Sequence, residues 1–207
     1  MENIELLERI YSGKRAQLKR HILNQALLCF LENGLEATTI EMIREQADTS
    51  VGAIYHHFKN KEGIIAALFF AALDDQAQYR ENALKNTENM QHGIMAMVEG
   101  YIDWVTDYPD FARFLYAARF IITQTAQDLD LKKRNHSRNK SLLQWLQQQT
   151  DVEHLAHIPH DLLLSLVIGS TENYCRAWLS HKVKTSPQVY KHIFAKTAWR
   201  AIAYFPK

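Results

Sequence analysis

Apolar positions recur at the helical period along most of the chain. Between Lys14 and Leu31, residues Leu18, Ile22, Ala26 and Phe30 share one face, with Leu23 and Leu27 beside them. That spacing predicts an amphipathic helix, whose first turns carry Lys14, Arg15, Lys19 and Arg20 and whose end is marked by Asn33-Gly34. Thr38-Thr39-Ile40-Glu41 has the form of a capping box, a hydroxyl three residues before a carboxylate. It predicts a short helix that stops near Ala47-Asp48. Ser50 stands where it would cap a second short helix through Phe58, and Asn60 a long one from Lys61 to Lys85. After a polar break at Asn86 to Asn89, further helices are expected over 90–108, 109–123, 126–149, 159–182 and 187–204. Pro109, Pro159 and Pro187 each fall in a first turn, where proline is tolerated best, and Ser186 is a cap. Nothing demands a sheet, and the fold class expected is all-α.

Composition narrows this. Seven glycines and four prolines in 207 residues are too few for a hairpin-rich β fold. Hydrophobic residues at 47% and charged residues at 23% fit a globular chain rather than a disordered one. The charge-free stretch from Gly63 to Leu73 is far shorter than the roughly 18 residues of a spanning helix. The acidic start, Met1-Glu2-Asn3-Ile4-Glu5, is unlike a secretory signal. Cys29 and Cys175 are isolated, so neither a Cys-x-x-Cys motif nor a disulfide framework is present. A cytoplasmic protein without a membrane partner is expected. The net charge of +1 means that any nucleic-acid binding must come from local placement of charge.

Two helices of about two turns each, joined near Asp48-Thr49, bury little surface alone. Packed against their neighbours they form a helix-turn-helix, whose second helix can enter a major groove. The stretch from Thr39 to Glu62, above all Gly52-x-x-Tyr55-x-His57-Phe58-x-x-Lys61-Glu62, closely resembles the DNA-binding signature of the TetR family of transcriptional regulators. The likeness covers about residues 14 to 65. The rest resembles the family only in length and helical layout. Asp48 stands where the family usually has glycine, and aspartate is among the few residues that also adopt positive φ. The resemblance implies an N-terminal extension over 1–13, a helix-turn-helix DNA-binding domain over 14–60, and a larger helical effector-binding and dimerisation domain over 61–207.

Within the signature, Tyr55 and Lys61 are similar in position to family residues that hold phosphates, and Thr39 would turn its hydroxyl and helix amides to another. Gly52 leaves room for close approach of DNA. Ser50, Val51 and Ala53 take the variable, base-facing positions; Val51 and Ala53 offer only apolar contact, as with thymine methyls. Periodicity alone admits another pattern, because Val51, Ile54, Tyr55 and Phe58 fall at i, i+3, i+4 and i+7 of a core stripe. His56 and His57 are read as either phosphate contacts or intramolecular hydrogen-bond partners, and Arg44 as a phosphate ligand or a solvated helix residue.

In the C-terminal two thirds, Leu162-Leu163-Leu164-Ser165-Leu166-Val167-Ile168-Gly169 shows no polar side and must be covered twice. The last helix carries Tyr190, Ile193, Phe194, Thr197, Ala198 and Ala201 as one stripe, with Trp199 and Ile202 outside it. A homodimer through Leu164, Ile168, Tyr190, Ile193, Phe194 and Thr197 is the simplest cover, and the family resemblance implies the same. The aromatic richness of 90–180 is expected to be mostly core, with an effector cavity implied by the resemblance. Tyr101, Trp104, Phe111, Phe114, Trp145 and Tyr174 are its candidate walls, and Glu172 and Asn173 its polar groups. Glu172 can equally form a salt bridge or sit at an interface rim.

His154, His157 and His160 are interrupted by Pro159 and lack a cysteine, so no metal and no cofactor are expected. The basic run Lys132, Lys133, Arg134, His136, Arg138 and Lys140 surrounds most of a helix, as solvated surfaces do. No nucleophile with an adjacent base and no glycine-rich phosphate loop is present, which disfavours an enzyme. The expected function is a dimeric repressor released from a palindromic double-stranded DNA operator by a small apolar or aromatic effector. The alternative is an all-helical small-molecule-binding protein or enzyme using the aromatic cavity.

Overall fold

A computed structural model describes residues 2–124, 133–135, 137, 140, 142, 144–148 and 158–203. Among them, α1 is Glu2–Ile10, α2 Gln17–Asn33, α3 Ile40–Gln46, α4 Val51–Phe58, α5 Lys61–Leu84, α6 Met90–Asp107, α7 Pro109–Gln124, α8 His160–Leu179 and α9 Lys191–Ala203. Single 3-10 turns at Lys14–Ala16 and Pro187–Tyr190 precede α2 and α9. The Ser186 hydroxyl accepts from the Gln188 amide, as its cap role requires. Most of the helix expected over 126–149, together with His154 and His157, lies outside the described residues. No described helix is long and apolar enough to cross a membrane.

The chain divides into two compact units, Met1–Asp75 with Tyr108–Asn135, and Gln76–Asp107 with His136–Lys207. In the first, Ile22, Leu27, Phe30, Ile43, Ile54, Leu68 and Phe111 are buried, and the rings of Phe30 and Phe114 lie 5.8 Å apart. Helix α1, within the expected N-terminal extension, packs into this core: Leu6 and Leu7 are fully buried. Nine residues cannot hold a helix alone, and here tertiary contacts do so. The Asn3 amide donates to Asp110 (3.0 Å). Arg9 donates through Nε and Nη2 to the two oxygens of buried Asp75 (2.8 and 3.1 Å) and lies over the Tyr108 ring. Arg9→Ala removes both charge-assisted bonds from a buried carboxylate. We expect a loss of about 2–4 kcal/mol in urea unfolding, below the fully buried case because Arg9 is itself partly exposed. A loss under about 0.5 kcal/mol would mean that α1 is not a stabilising part of the unit.

In the second unit, α9 is pinned to α6 by polar contacts around a small apolar core. Lys191 Nζ reaches both carboxylate oxygens of Asp103 (2.6 Å each), and the Gln188 amide donates to Asp103 (2.7 Å) and Thr106 (2.8 Å). His192 meets Glu99 at 2.7 Å. Beneath them Ile94, Val98, Ile102, Val167, Ala195, Ala198 and Ile202 are buried. Both cysteines are free and buried. Burial pushes the Cys175 thiol up to about 12, with Glu172 adding to the shift, so it stays a protonated core residue.

Candidate nucleic-acid interface

Two local caps shape the interface. The Thr39 hydroxyl oxygen accepts from the Met42 amide (3.2 Å) and starts α3; the Ser50 hydroxyl oxygen accepts from Ala53 (3.1 Å) and starts α4. The expected capping box, with Thr38 facing Glu41, does not form. Thr38 is buried, and its hydroxyl points back to the Gly34 (2.7 Å) and Cys29 (3.1 Å) carbonyls, while Glu41 pairs with Arg44 at 2.6 Å. Because Thr39 and Ser50 accept at their caps, their O–H protons remain available outward. Between the helices Asp48 takes φ 42°, so the tight turn forms with aspartate at that position.

Helix α4 sorts its apolar stripe in two. Ile54 and Phe58 are buried; Val51 is exposed, and Tyr55 is 49% exposed. A tyrosine held on a two-turn helix with its phenol in water is not a core residue. Gly52 is exposed, and the nearest atom to an added Cβ would be Ser50 Oγ at 3.9 Å. No packing inside the protein therefore demands glycine there, although glycine costs about 1 kcal/mol relative to alanine within a helix. Ala53 and His57 are half-buried and His56 is exposed, the two imidazoles lying edge to face with centroids 5.3 Å apart.

Lys61 does something the signature alone does not reveal. Its ammonium donates to the carbonyls of Leu35 (3.0 Å), Glu36 (2.9 Å) and Thr38 (2.9 Å). All three of its protons are engaged within the protein, so its place in this structure is that of a clamp. It joins the start of α5 to the loop that sets the N-terminus of α3. Arg44 is half-buried on α3 and paired with Glu41 and Glu45.

The candidate effector residues are divided between the two units. Phe111 and Phe114 are core residues of the first unit. Trp104 is fully buried in the second unit and Tyr101 is half-buried. Trp145 donates its indole N–H to Thr87 (3.1 Å) and lays its ring against the backbone of Gly93. Tyr174 donates to the Thr185 carbonyl (3.0 Å) and meets the Tyr190 ring edge to face and the Phe194 ring at a tilt, with centroids 5.7 and 5.3 Å away. Glu172 lies near Arg176 one turn on (3.8 Å), and Asn173 is exposed. Of the expected dimer stripe, Tyr190 and Phe194 face Tyr174 of their own chain. Ile193 (62% exposed), Thr197 and Ala201 point outward, as do Leu162 and Leu164 on α8, with Ile168 half-buried. The stripe read from sequence is wide enough to straddle both faces, and Ile202 goes to the core. Among the described residues no group of three metal-ligating side chains occurs. Lys132, His136 and Arg138 of the basic run lie outside them; Arg134 is near Asp74 (3.6 Å) and over the Phe70 ring.

A capped, two-turn helix that buries one edge and presents hydroxyl, methyl and phenol groups on the other defines a helix-turn-helix protein. Residues 22–68 match the family described as bacterial regulatory proteins, tetR family. The chain is 31% identical over 127 residues to the HTH-type transcriptional repressor AcnR of Corynebacterium glutamicum, covering 58% of this chain and 65% of that one. It is 39% identical over 71 residues to the HTH-type transcriptional repressor KstR2 of Rhodococcus jostii, covering 34% and 33%. It thus spans from a third to under two thirds of these relatives. A TetR family transcription regulator from Marinobacter aquaeolei superposes with a TM-score of 0.74 at 18% identity, over 91% of this chain and 97% of that one. FadR from Bacillus subtilis, solved with stearoyl-CoA, gives 0.68 at 17% identity, over 89% and 99%. Residues 22–68 thus carry the DNA-binding region of the tetR family, and the chain shares the fold of these solved regulators.

Proposed function

We propose that this chain is a dimeric repressor that binds a palindromic DNA operator through α3 and α4 and is released by a small apolar ligand. The exposed edge of α4, from Ser50 to Tyr55, carries the reading: Gly52 and the open Tyr55 phenol have no role in internal packing. Val51 and Ala53 would meet base edges by apolar contact; Tyr55 and the O–H of Thr39 would hold phosphates. For the effector, the buried and half-buried aromatics of the second unit, Tyr101, Trp104 and Trp145, supply an apolar surround. A free long-chain fatty acid, the apolar part of the stearoyl-CoA in the FadR complex, is the first probe, read by tryptophan fluorescence and by release from DNA.

The test begins by selecting duplexes from a random pool on the wild-type protein. Tyr55→Phe should weaken binding to every selected duplex about tenfold or more, one charge-assisted bond being lost per half-site, with an unchanged melting temperature. Lys61→Ala should lower the melting temperature as well, because the α2–α3 loop loses its clamp. Selection of no duplex, or unaltered affinity in folded Tyr55→Phe, would overturn the reading.

A pH response accompanies it. Burial first, then His56 and Lys19, hold the His57 imidazole below the ordinary histidine value of 6.5. It is neutral above that value and gains charge below it. DNA affinity should rise as pH falls below about 6.5, since a cation is added to the last turn of α4. Stability should fall over the same window, because the unfolded chain binds that proton more readily than the folded one. Anisotropy titrations at several pH values check this, and His57→Gln should flatten the affinity profile.

A further inference from the structure

Four basic residues, Lys14 and Arg15 in the 3-10 turn and Lys19 and Arg20 at the start of α2, contribute no phosphate or base contact in the reading above, and the structure separates them into two jobs. Arg20 is internal: its Nη1 donates to the carbonyls of Tyr11 (2.7 Å) and Gly13 (2.9 Å), and its Nη2 lies 3.8 Å from Glu8. Lys19 holds its ammonium 4.0 Å over the Tyr11 ring and 6.0 Å from the ring of Phe58, the last residue of α4. Tyr11 in turn donates its hydroxyl to the Ala67 carbonyl of α5 (3.1 Å). The turn at 11–13 is therefore anchored at ring, hydroxyl and two carbonyls, beside the C-terminal end of the reading helix. Gly13 then takes φ +85° and ψ 163°, a conformation essentially reserved for glycine, and delivers the chain into the 3-10 turn Lys14–Ala16.

Lys14 and Arg15 are what this scaffold displays. Both are exposed, and neither has an ion pair among the described residues; Glu8, on the neighbouring helix, is turned to Arg20. Two adjacent exposed cations, following a turn held by Arg20 and by Lys19, whose ammonium lies 6.0 Å from Phe58 at the end of α4, suit a polyanion that runs past that end. We propose that Lys14 and Arg15 form a second phosphate-binding element that holds the DNA backbone flanking each half-site, positioned by Gly13 and the Arg20–Tyr11 clamp. This rests on the DNA-binding reading of α4 and adds affinity without adding sequence preference.

The experiment uses the full chain and a duplex selected by the wild type, in two lengths: the palindrome alone, and the palindrome with about one helical turn of flank on each side. On the long duplex, K14A/R15A should bind about 10- to 100-fold more weakly, with a log-affinity against log-salt slope shallower by about two per half-site. On the trimmed duplex, wild type and variant should converge. Gly13→Ala keeps every charge and meets nothing within 4 Å, so strain at φ +85° alone acts. It should reproduce part of the loss while circular dichroism stays that of the wild type. A folded K14A/R15A with wild-type affinity and slope on the long duplex overturns the inference and leaves the α4 reading standing. A loss of the same size on the trimmed duplex overturns the flanking assignment. If the wild type selects no duplex, both readings fall together.

Discussion

Gly63→Ala is expected to lower the melting temperature by roughly 10 °C and to abolish DNA binding. A Cβ on Gly63 would run into the Phe58 carbonyl oxygen and stand 3.0 Å from its carbon. The obstacle is backbone, so no rotamer can relieve it. The corner has little slack: Lys59 is at φ 66°, the Asn60 amide donates to the same Phe58 carbonyl (2.8 Å), and the Asn60 side chain caps the Gly63 amide (2.8 Å). Displacing the carbonyl would pull Phe58 from the core and shift α4 with it. Overpacking typically costs about 1–3 kcal/mol, and a backbone clash belongs at or above the top of that range. Gly52→Ala is the matched opposite. It meets only Ser50 Oγ at 3.9 Å, so the fold should be retained or slightly stabilised by helix propensity while DNA binding weakens. Thermal melts of both variants, with anisotropy on one duplex, check the pair; equal melting temperatures would remove the claim.

Ile193→Asp should convert the protein to a folded monomer and reduce affinity for a palindromic duplex by about 100-fold or more, since two half-sites can no longer be engaged together. The side chain is 62% exposed and shares the outward face of α9 with Thr197 and Ala201, while Leu162 and Leu164 are exposed on α8. An aspartate there stays in water in the monomer, with Lys196 one turn along, and is stranded only when a second copy covers it. Phe194→Asp should behave differently, because the Phe194 ring packs on Tyr174 at 5.3 Å within the chain; that variant should lose stability itself. Sedimentation combined with circular dichroism separates the two outcomes. A wild type that is monomeric at micromolar concentration would sink the dimer proposal.

Local signals carried the reading head. The period of α2, the cap at Ser50 and the prolines at 109 and 187 each act within a turn or two of chain, so they can be read without a fold. The split of Val51, Ile54, Tyr55 and Phe58 into core and surface could not be read from spacing, because all four lie on one wide helical face; the family signature separated them. Thr38 and Thr39 show the limit of such signals. Either hydroxyl could cap α3, and what decided was burial of Thr38 onto the carbonyls of Cys29 and Gly34.

The sequence by itself determined the class of fold, the places of α2 to α7, and the residues that α4 turns outward. These follow from periodicity, capping chemistry and a dense motif, all short-range in the chain. Only the tertiary structure decided that residues 2–10 are helical, that Lys61 clamps three carbonyls, and that Phe194 faces Tyr174 while Ile193 faces out. It alone showed that Arg20 props up a turn on which Lys14 and Arg15 stand free. Each of these depends on partners far along the chain: Asp75 is 66 residues from Arg9, and Thr38 is 23 from Lys61. A side chain's role is set by which distant group fills its bonds, and a single sequence does not record that pairing.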